Sequence, residues 1–264
     1  MKALVLIIMM TSALFSSTPD SEVWNTYKKN FLQNDGRIID FKNADITHTE
    51  GIGYALYFSY VFNDKESFER IHQWYHNNIK FNEHKLPGWK WGKAEDGTWK
   101  MLDKNSASDS NLWIAHALLL MYERHNHHAY KDEALTLLNA IKTHQIKSVS
   151  RQLFLLPGEK GFENQETLRL NLSYLIFETF EHFKTYDKDP IWQSLIESSQ
   201  NQLMHMRFSA LALNPDWLIY NTKNKTSTLE LDNAMFSYDA IRIPLNIIRS
   251  SLSHKEKVVL LQPY

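Results

Sequence analysis

Hydrophobic positions along the chain fall into two kinds of helical segment that alternate. Val23, Trp24, Tyr27 and Phe31 make a single apolar stripe at helical spacing, as do Phe68, Ile71, Trp74, Tyr75 and Ile79. Tyr130, Ala134, Leu137, Leu138 and Ile141 repeat it, and Trp192, Leu195, Ile196 and Leu203 give a further stripe. Between the stripes stand segments that are apolar nearly all round, at residues 51–62, 112–122, 170–180 and 234–248. A helix with one stripe keeps a face in water, whereas one that is apolar all round must be enclosed. The enclosed segments start near residues 50, 108, 169 and 234, a rhythm of about 60 residues with no repeat in the sequence itself. A helical solenoid would show self-similar repeats of about 34–47 residues. The pattern therefore predicts an all-α toroid in which inner and outer helices alternate, with residues 253–261 starting another outer helix.

Composition supports helices. The 264 residues include 8 Gly and 7 Pro, well below the usual ~7% and ~5%, so few positions suit the turns of a many-stranded sandwich or barrel. With 29 basic and 30 acidic side chains the formal net charge is −1, which leaves no overall field to hold nucleic acid or an anionic membrane. The absence of Cys excludes disulfides, thiol catalysis and zinc ribbons. Met1 and Lys2 form a short basic start, residues 3–15 an apolar run, and Ser16, Ser17 and Thr18 a small polar end. That run falls short of the ~20 residues of a membrane span and reads as a secretory signal peptide over residues 1–17, cut after Ala13 or Ser17. Export to the periplasm or the medium is expected, with no membrane anchor once the leader is removed.

In a toroid of hairpins all inner helices run the same way, so their N-termini open on one rim. Glu50 opens the first inner helix and Asp109 the second. Asn171 and Tyr174 fall in the first turns of the third, and Tyr238, Asp239 and Arg242 in the early turns of the fourth. Simpler roles exist for two of them: Asp109 after Ser108 suits a helix cap, and Glu50 three residues after Thr47 suits a capping box. Asp239 lies in an apolar run, where an unpartnered carboxylate is costly, and Arg242 at i+3 is its nearest partner. His125, His127 and His128 read as a solvated cluster between helices. His72 and His76 are spaced i, i+4, but no helix-borne Glu completes an HExxH pattern. No metal or cofactor is predicted.

The strings around these residues are DGRIID (35–40), THTEGIGYAL (47–56), LPGWKWG (86–92), DKNSASDSNLWIAHALL (103–119), LLPGEKGF (155–162), NLSYL (171–175), PDW (215–217) and SYDAIRIP (237–244). In this order and spacing the chain resembles glycoside hydrolase family 8, notably bacterial endoglucanases associated with cellulose synthesis. The resemblance covers most of the chain after the leader. It implies an (α/α)6 barrel and inverting hydrolysis of mainly β-1,4-linked polysaccharides. It makes Glu50 the general acid, Asp239 the general base, and Asp109 the acidic residue that holds the sugar ring in the cleavage subsite. Sugar rings present flat C–H faces, so Trp89 and Trp91 in a loop flanked by Gly and Pro, with Tyr174 and Tyr238, become candidate platforms. Arg242 matches the arginine beside the base.

A glycosidic oxygen leaves only when protonated, and inversion needs a second carboxylate about 6.5–9.5 Å away to activate water. Glu50 is therefore expected to titrate above an ordinary Glu, through burial against Tyr54 or Trp91 and repulsion from Asp109, and against the pull of the helix N-terminus. Two departures stand out. Asn111, after Ser110, replaces a second acidic residue usual in the family's helix signature. Six hairpins of about 60 residues also exceed 300 residues, so the expected catalytic domain, residues 18–264, is shortened at its C-terminus. The leading expectation is an endo-β-1,4-glucanase acting on cellulose-type β-glucan. The alternatives are a xylanase or mixed-linkage glucanase using the same carboxylates, or an inactive glycan-binding relative. Association with the cellulose-synthesis machinery is compatible with the resemblance.

Overall fold

A computed structural model describes residues 20–230 and 235–264. The expected leader, residues 1–17, and Ala234 at the start of the fourth inner segment lie outside the described residues. Helices α1 (Ser21–Phe31), α2 (Thr49–Val61), α3 (Lys65–Asn78), α4 (Ser108–His125), α5 (His128–His144), α6 (Phe177–Tyr186), α7 (Ile191–His205), α8 (Arg242–Arg249) and α9 (His254–Leu261) carry the architecture. Helix α2 packs on α4, α4 on α6 and α6 on α8, while α3, α5, α7 and α9 each lie against the inner helix that precedes them. The fold is thus the inner–outer helical toroid of the (α/α)6 kind. Among the described residues no helix is long and apolar enough to cross a membrane.

The two helix kinds behave as their patterns require. Every residue of α4 from Ser108 to Leu119 is buried, because α2, α5 and α6 surround it. Helix α5 buries only Tyr130, Ala134, Leu137, Leu138, Ala140 and Ile141 and turns its charges outward. Gly53 brings α2 close to α4: a Cβ there would stand 2.8 Å from the Cβ of Trp113 and 3.3 Å from the carbonyl oxygen of Ser110. That approach sets the first turn of α2 beside the first turn of α4.

Asp64 ties α1 to the start of α3. Its carboxylate accepts from the Ser67 amide at 3.0 Å, capping α3, and from Trp24 Nε1 at 2.9 Å and Lys28 Nζ at 2.8 Å on α1. Burial raises its affinity for a proton, but the bonds from Lys28, Ser67 and Trp24 outweigh this and hold the carboxyl well below its ordinary value. Asp64→Ala should destabilise the protein by about 2–4 kcal/mol, from the lost cap and the charged hydrogen bond, measured by urea unfolding at pH 7. Because the folded-state value is depressed, this contribution is complete above about pH 4 and fades as the pH falls, so wild type and variant should converge in acid.

Two inner segments start later than their hydrophobic runs. The third run begins as a strand, β6 (Thr167–Leu170), and Asn171 then caps a single 3-10 turn, Leu172–Tyr174, before α6 begins at Phe177. In the fourth, residues 237–241 are turns and α8 begins at Arg242, so Tyr238 and Asp239 precede the helix. Helix α8 is amphipathic rather than enclosed: Ile243, Asn246 and Ile247 are buried, while Leu245 and Ile248 are exposed.

Three small antiparallel sheets line the loops, an element that the helical periodicity does not disclose. They are β1 (Thr47–His48), β2 (Lys90–Lys93) and β3 (Trp99–Asp103); the hairpin β4 (Ile146–Val149) and β5 (Gln152–Leu155); and β6 with β7 (Leu218–Asn221) and β8 (Thr226–Leu229). In the hairpin β4–β5 the turn residues Ser150 and Arg151 both take positive φ, 49° and 69°, the geometry of a tight two-residue connection.

Candidate active site at the inner-helix N-termini

Glu50 is the second residue of α2. The helix is capped by His48, whose Nδ1 accepts from the Gly51 amide at 3.0 Å. Thr47 instead donates its hydroxyl to the Ile38 carbonyl at 2.6 Å and accepts from Arg37 Nε at 3.0 Å, so the capping box that was the simpler role for Glu50 is not formed. Glu50 is left free to face the cleft. Its Oε1 accepts from the Tyr54 hydroxyl at 3.0 Å and from Arg242 Nη1.

Asp109 is the second residue of α4, and the N-cap position belongs to Ala107. The capping role that its place after Ser108 allowed is therefore not taken up. Its carboxylate accepts from its neighbour's amide, Ser110, at 2.7 Å. Asp109 is only 3% exposed. Burial pushes its carboxyl well above the ordinary range; the Glu50 charge and a hydrogen bond shared with Glu50 push the same way, against Arg242 and the Ser110 amide. Asn111 faces away from this chemistry: its amide donates to Ser106 Oγ at 2.8 Å and Gln145 Oε1 at 3.0 Å, tying α4 to the end of α5.

Asp239 sits on the turn ahead of α8, and a buried carboxylate shapes that turn. Asp216 accepts from the Ser237 amide at 3.0 Å, the Ala240 amide at 2.7 Å and the Ser237 hydroxyl. Asp239 Oδ2 accepts from Asn171 Nδ2 at 2.9 Å and Oδ1 from Arg242 Nη2 at 2.5 Å. Burial raises its pKa, with Arg242 and Asn171 opposing and Asp216 and Glu50 adding.

Arg242 joins the parts. One guanidinium nitrogen donates to Glu50 and reaches the Tyr54 hydroxyl at 3.3 Å; the other donates to Asp239 and, at 3.1 Å, to Ser173 Oγ. The guanidinium thus stands between the two carboxylates and keeps them from direct contact. Its own pKa is raised: burial lowers it, but Glu50, Tyr54, Asp109 and Asp239 together outweigh burial. The Tyr174 phenol is pushed far up by burial first and then by Asp109, Glu50 and Asp239.

A cleft of about 410 Å³ opens there, lined among others by Asp40, His48, Glu50, Trp89, Asp109 and Tyr174. A second cavity of about 290 Å³ lies further in, bounded by Tyr54, Tyr57, Trp113, Asp109, Arg242 and Arg249. Trp89 is half-buried on the cleft wall, but Trp91 is a correction: it is buried, edge-on to Trp74 at 5.1 Å and stacked on Trp99 at 5.0 Å. A bulge between Lys90 and Trp91 breaks the alternation of β2, so residues two apart do not share a face. Tyr238 stands 93% exposed beside Asp239.

Trp217 and Asp216 were not read from the sequence as site residues. The Trp217 ring meets Tyr174 edge-on at 6.3 Å, stacks on Phe162 at 6.1 Å and carries the Arg169 guanidinium at 3.9 Å, extending the aromatic wall. The string PDW was the available signal for both. Among the described residues the two His/Glu groups able to hold a metal ion include no residue of the cleft.

The family model for glycosyl hydrolases family 8 matches residues 1–264. The chain is 32% identical over 247 residues to an endoglucanase of Salmonella typhi, covering 92% of this chain and 66% of that protein. To an endoglucanase of Escherichia coli K12 it is 33% identical over 225 residues, covering 83% and 60%. The crystal structure of a family 8 endoglucanase from Klebsiella pneumoniae superimposes with a TM-score of 0.84 at 29% identity, covering 92% of this chain and 76% of that one. The chain therefore spans roughly 60–66% of the length of these two curated relatives.

Proposed function

The chain belongs to glycosyl hydrolase family 8, and from that premise we propose that it is an inverting endo-β-1,4-glucanase acting on cellulose-type β-glucan. One observation carries the reading: the Arg242 guanidinium bridges Glu50 and Asp239, carboxylates from distant parts of the chain, and Glu50 shares the cleft wall with Asp109. Glu50 delivers a proton to the glycosidic oxygen as the bond to the anomeric carbon breaks. Asp239 takes a proton from the water that attacks the opposite face. Asp109, buried beside Glu50 with its proton affinity raised by burial and by the Glu50 charge, binds the ring at the cleavage point. Incoming sugar displaces Arg242 Nη1 from Glu50, freeing Oε1, while Nη2 stays on Asp239 and holds it charged.

Trp89 and Tyr174 supply flat surfaces for neighbouring rings. Trp89→Ala should raise KM on cello-oligosaccharides about tenfold with a smaller change in kcat, since stacking on a ring remote from the bond binds ground and transition states alike.

A panel of carboxymethylcellulose, xylan and lichenan tests the substrate class by release of reducing ends. Cleavage of carboxymethylcellulose ahead of the other two is expected. Preference for xylan or lichenan would move the assignment to the other β-1,4 chemistries, and glucan binding by folded protein without any cleavage would make it a binding relative. The run at residues 3–15 behind Lys2 supports export; N-terminal sequencing of the exported protein should read from residue 14 or 18.

A further inference from the structure

On the outer layer, α3 and α5 bring together three side chains that have no part in the cleft. His72 and His76, one turn apart on α3, meet Glu133 from the first half of α5. His72 Nε2 lies 2.8 Å from Glu133 Oε2, His76 Nε2 lies 3.0 Å from Glu133 Oε1, and the two Nε2 atoms are 3.0 Å apart.

Proton counting makes this triangle unusual. If both Nε2 atoms donate to Glu133, two N–H groups face each other at 3.0 Å. If one Nε2 donates to the other, the accepting Nε2 carries no proton and none is left to give the carboxylate a bond of its own. A metal ion in place of these protons satisfies both Nε2 lone pairs and the carboxylate at once. Ligands of a tetrahedral ion with bonds of about 2.1 Å stand about 3.4 Å apart, so outward shifts of a few tenths of an ångström admit the ion.

The rings are held in that orientation. His72 lies edge-on to Tyr130 at 5.3 Å and stacks on Phe68 at 6.1 Å; His76 stacks on Phe81 at 5.9 Å and meets Tyr75 edge-on at 5.3 Å. Their planes cross at 78°, so two in-plane lone pairs converge. A second trio, His84, His144 and Glu159, lacks this property. Its rings stack in near-parallel planes, 13° apart at 3.8 Å, and their in-plane lone pairs share no common point.

We propose that His72, His76 and Glu133 form a binding site for a divalent transition-metal ion of the Zn²⁺ type, with water completing the coordination, which clamps α3 to α5. Two imidazoles and a carboxylate suit such an ion better than Mg²⁺ or Ca²⁺, which prefer oxygen-rich sites.

The test is calorimetric titration of Zn²⁺ into chelator-stripped protein at neutral pH, with thermal unfolding in parallel. One ion per chain is expected, with a rise in Tm of about 5–10 °C at a hundredfold excess over Kd, reversed by EDTA. His76→Gln and Glu133→Gln should each weaken uptake at least tenfold and remove most of the Tm rise. His76 is partly exposed, so its variant should fold even if the other does not. Absence of both heat and Tm shift would overturn the site. So would uptake unchanged in folded His76→Gln, which would place the ion elsewhere.

Discussion

Asp239→Asn is expected to lower kcat on soluble β-1,4-glucan by about 10²–10⁴-fold while KM moves only a few-fold. Asparagine keeps the size of the side chain, and the turn that carries it is fixed by Asp216 through the Ser237 and Ala240 amides. What is lost is the acceptor of the water's proton. The same position governs the acid limb of the pH profile. A base works only when ionised, and burial raises the Asp239 value above that of an ordinary Asp. The rising limb of kcat/KM should therefore lie at higher pH than a free aspartate would give. Steady-state kinetics across pH measure both effects, and an Asp239→Asn enzyme within tenfold of wild type would remove Asp239 from the role of base.

Glu50→Gln should lose a similar factor on unactivated glucan, and a change of leaving group separates the two roles. An aryl cellobioside with a weakly basic leaving group needs little protonation. Glu50→Gln should therefore recover most of its rate on that substrate, whereas Asp239→Asn should not. Glutamine also removes a charge that pushes the Asp109 carboxyl up. If Glu50→Gln is equally impaired on both substrates, the acid lies elsewhere.

The sequence disclosed the helical layers because solvent contact leaves a periodic mark. Helices α3, α5 and α7 carry one stripe, α2 and α4 carry none, and the described packing follows. The starts of α6 and α8 escaped because a run of apolar residues is silent about local geometry. Residues 167–170 pair with β7, and the Asp239 segment is bent into a turn by Asp216. Glu50, Asp109 and Asp239 were legible through motif and rim logic. The bridge that Arg242 makes between Glu50 and Asp239 was not, since it depends on a contact across 192 positions. The role of Trp91 depended on a bulge, and that of Glu133 on a contact across 57 and 61 positions, which spacing along the sequence does not carry.

In the proposed mechanism Glu50 and Asp239, spaced by Arg242, cleave a β-1,4 bond with water attacking the opposite face. Proton NMR of a cello-oligosaccharide during its first minutes of hydrolysis tests this directly. The α-anomer of the new reducing end is expected to appear first and then to mutarotate toward the β form. The β-anomer appearing first would contradict it, because retention needs a covalent intermediate and carboxyls only about 5–5.5 Å apart.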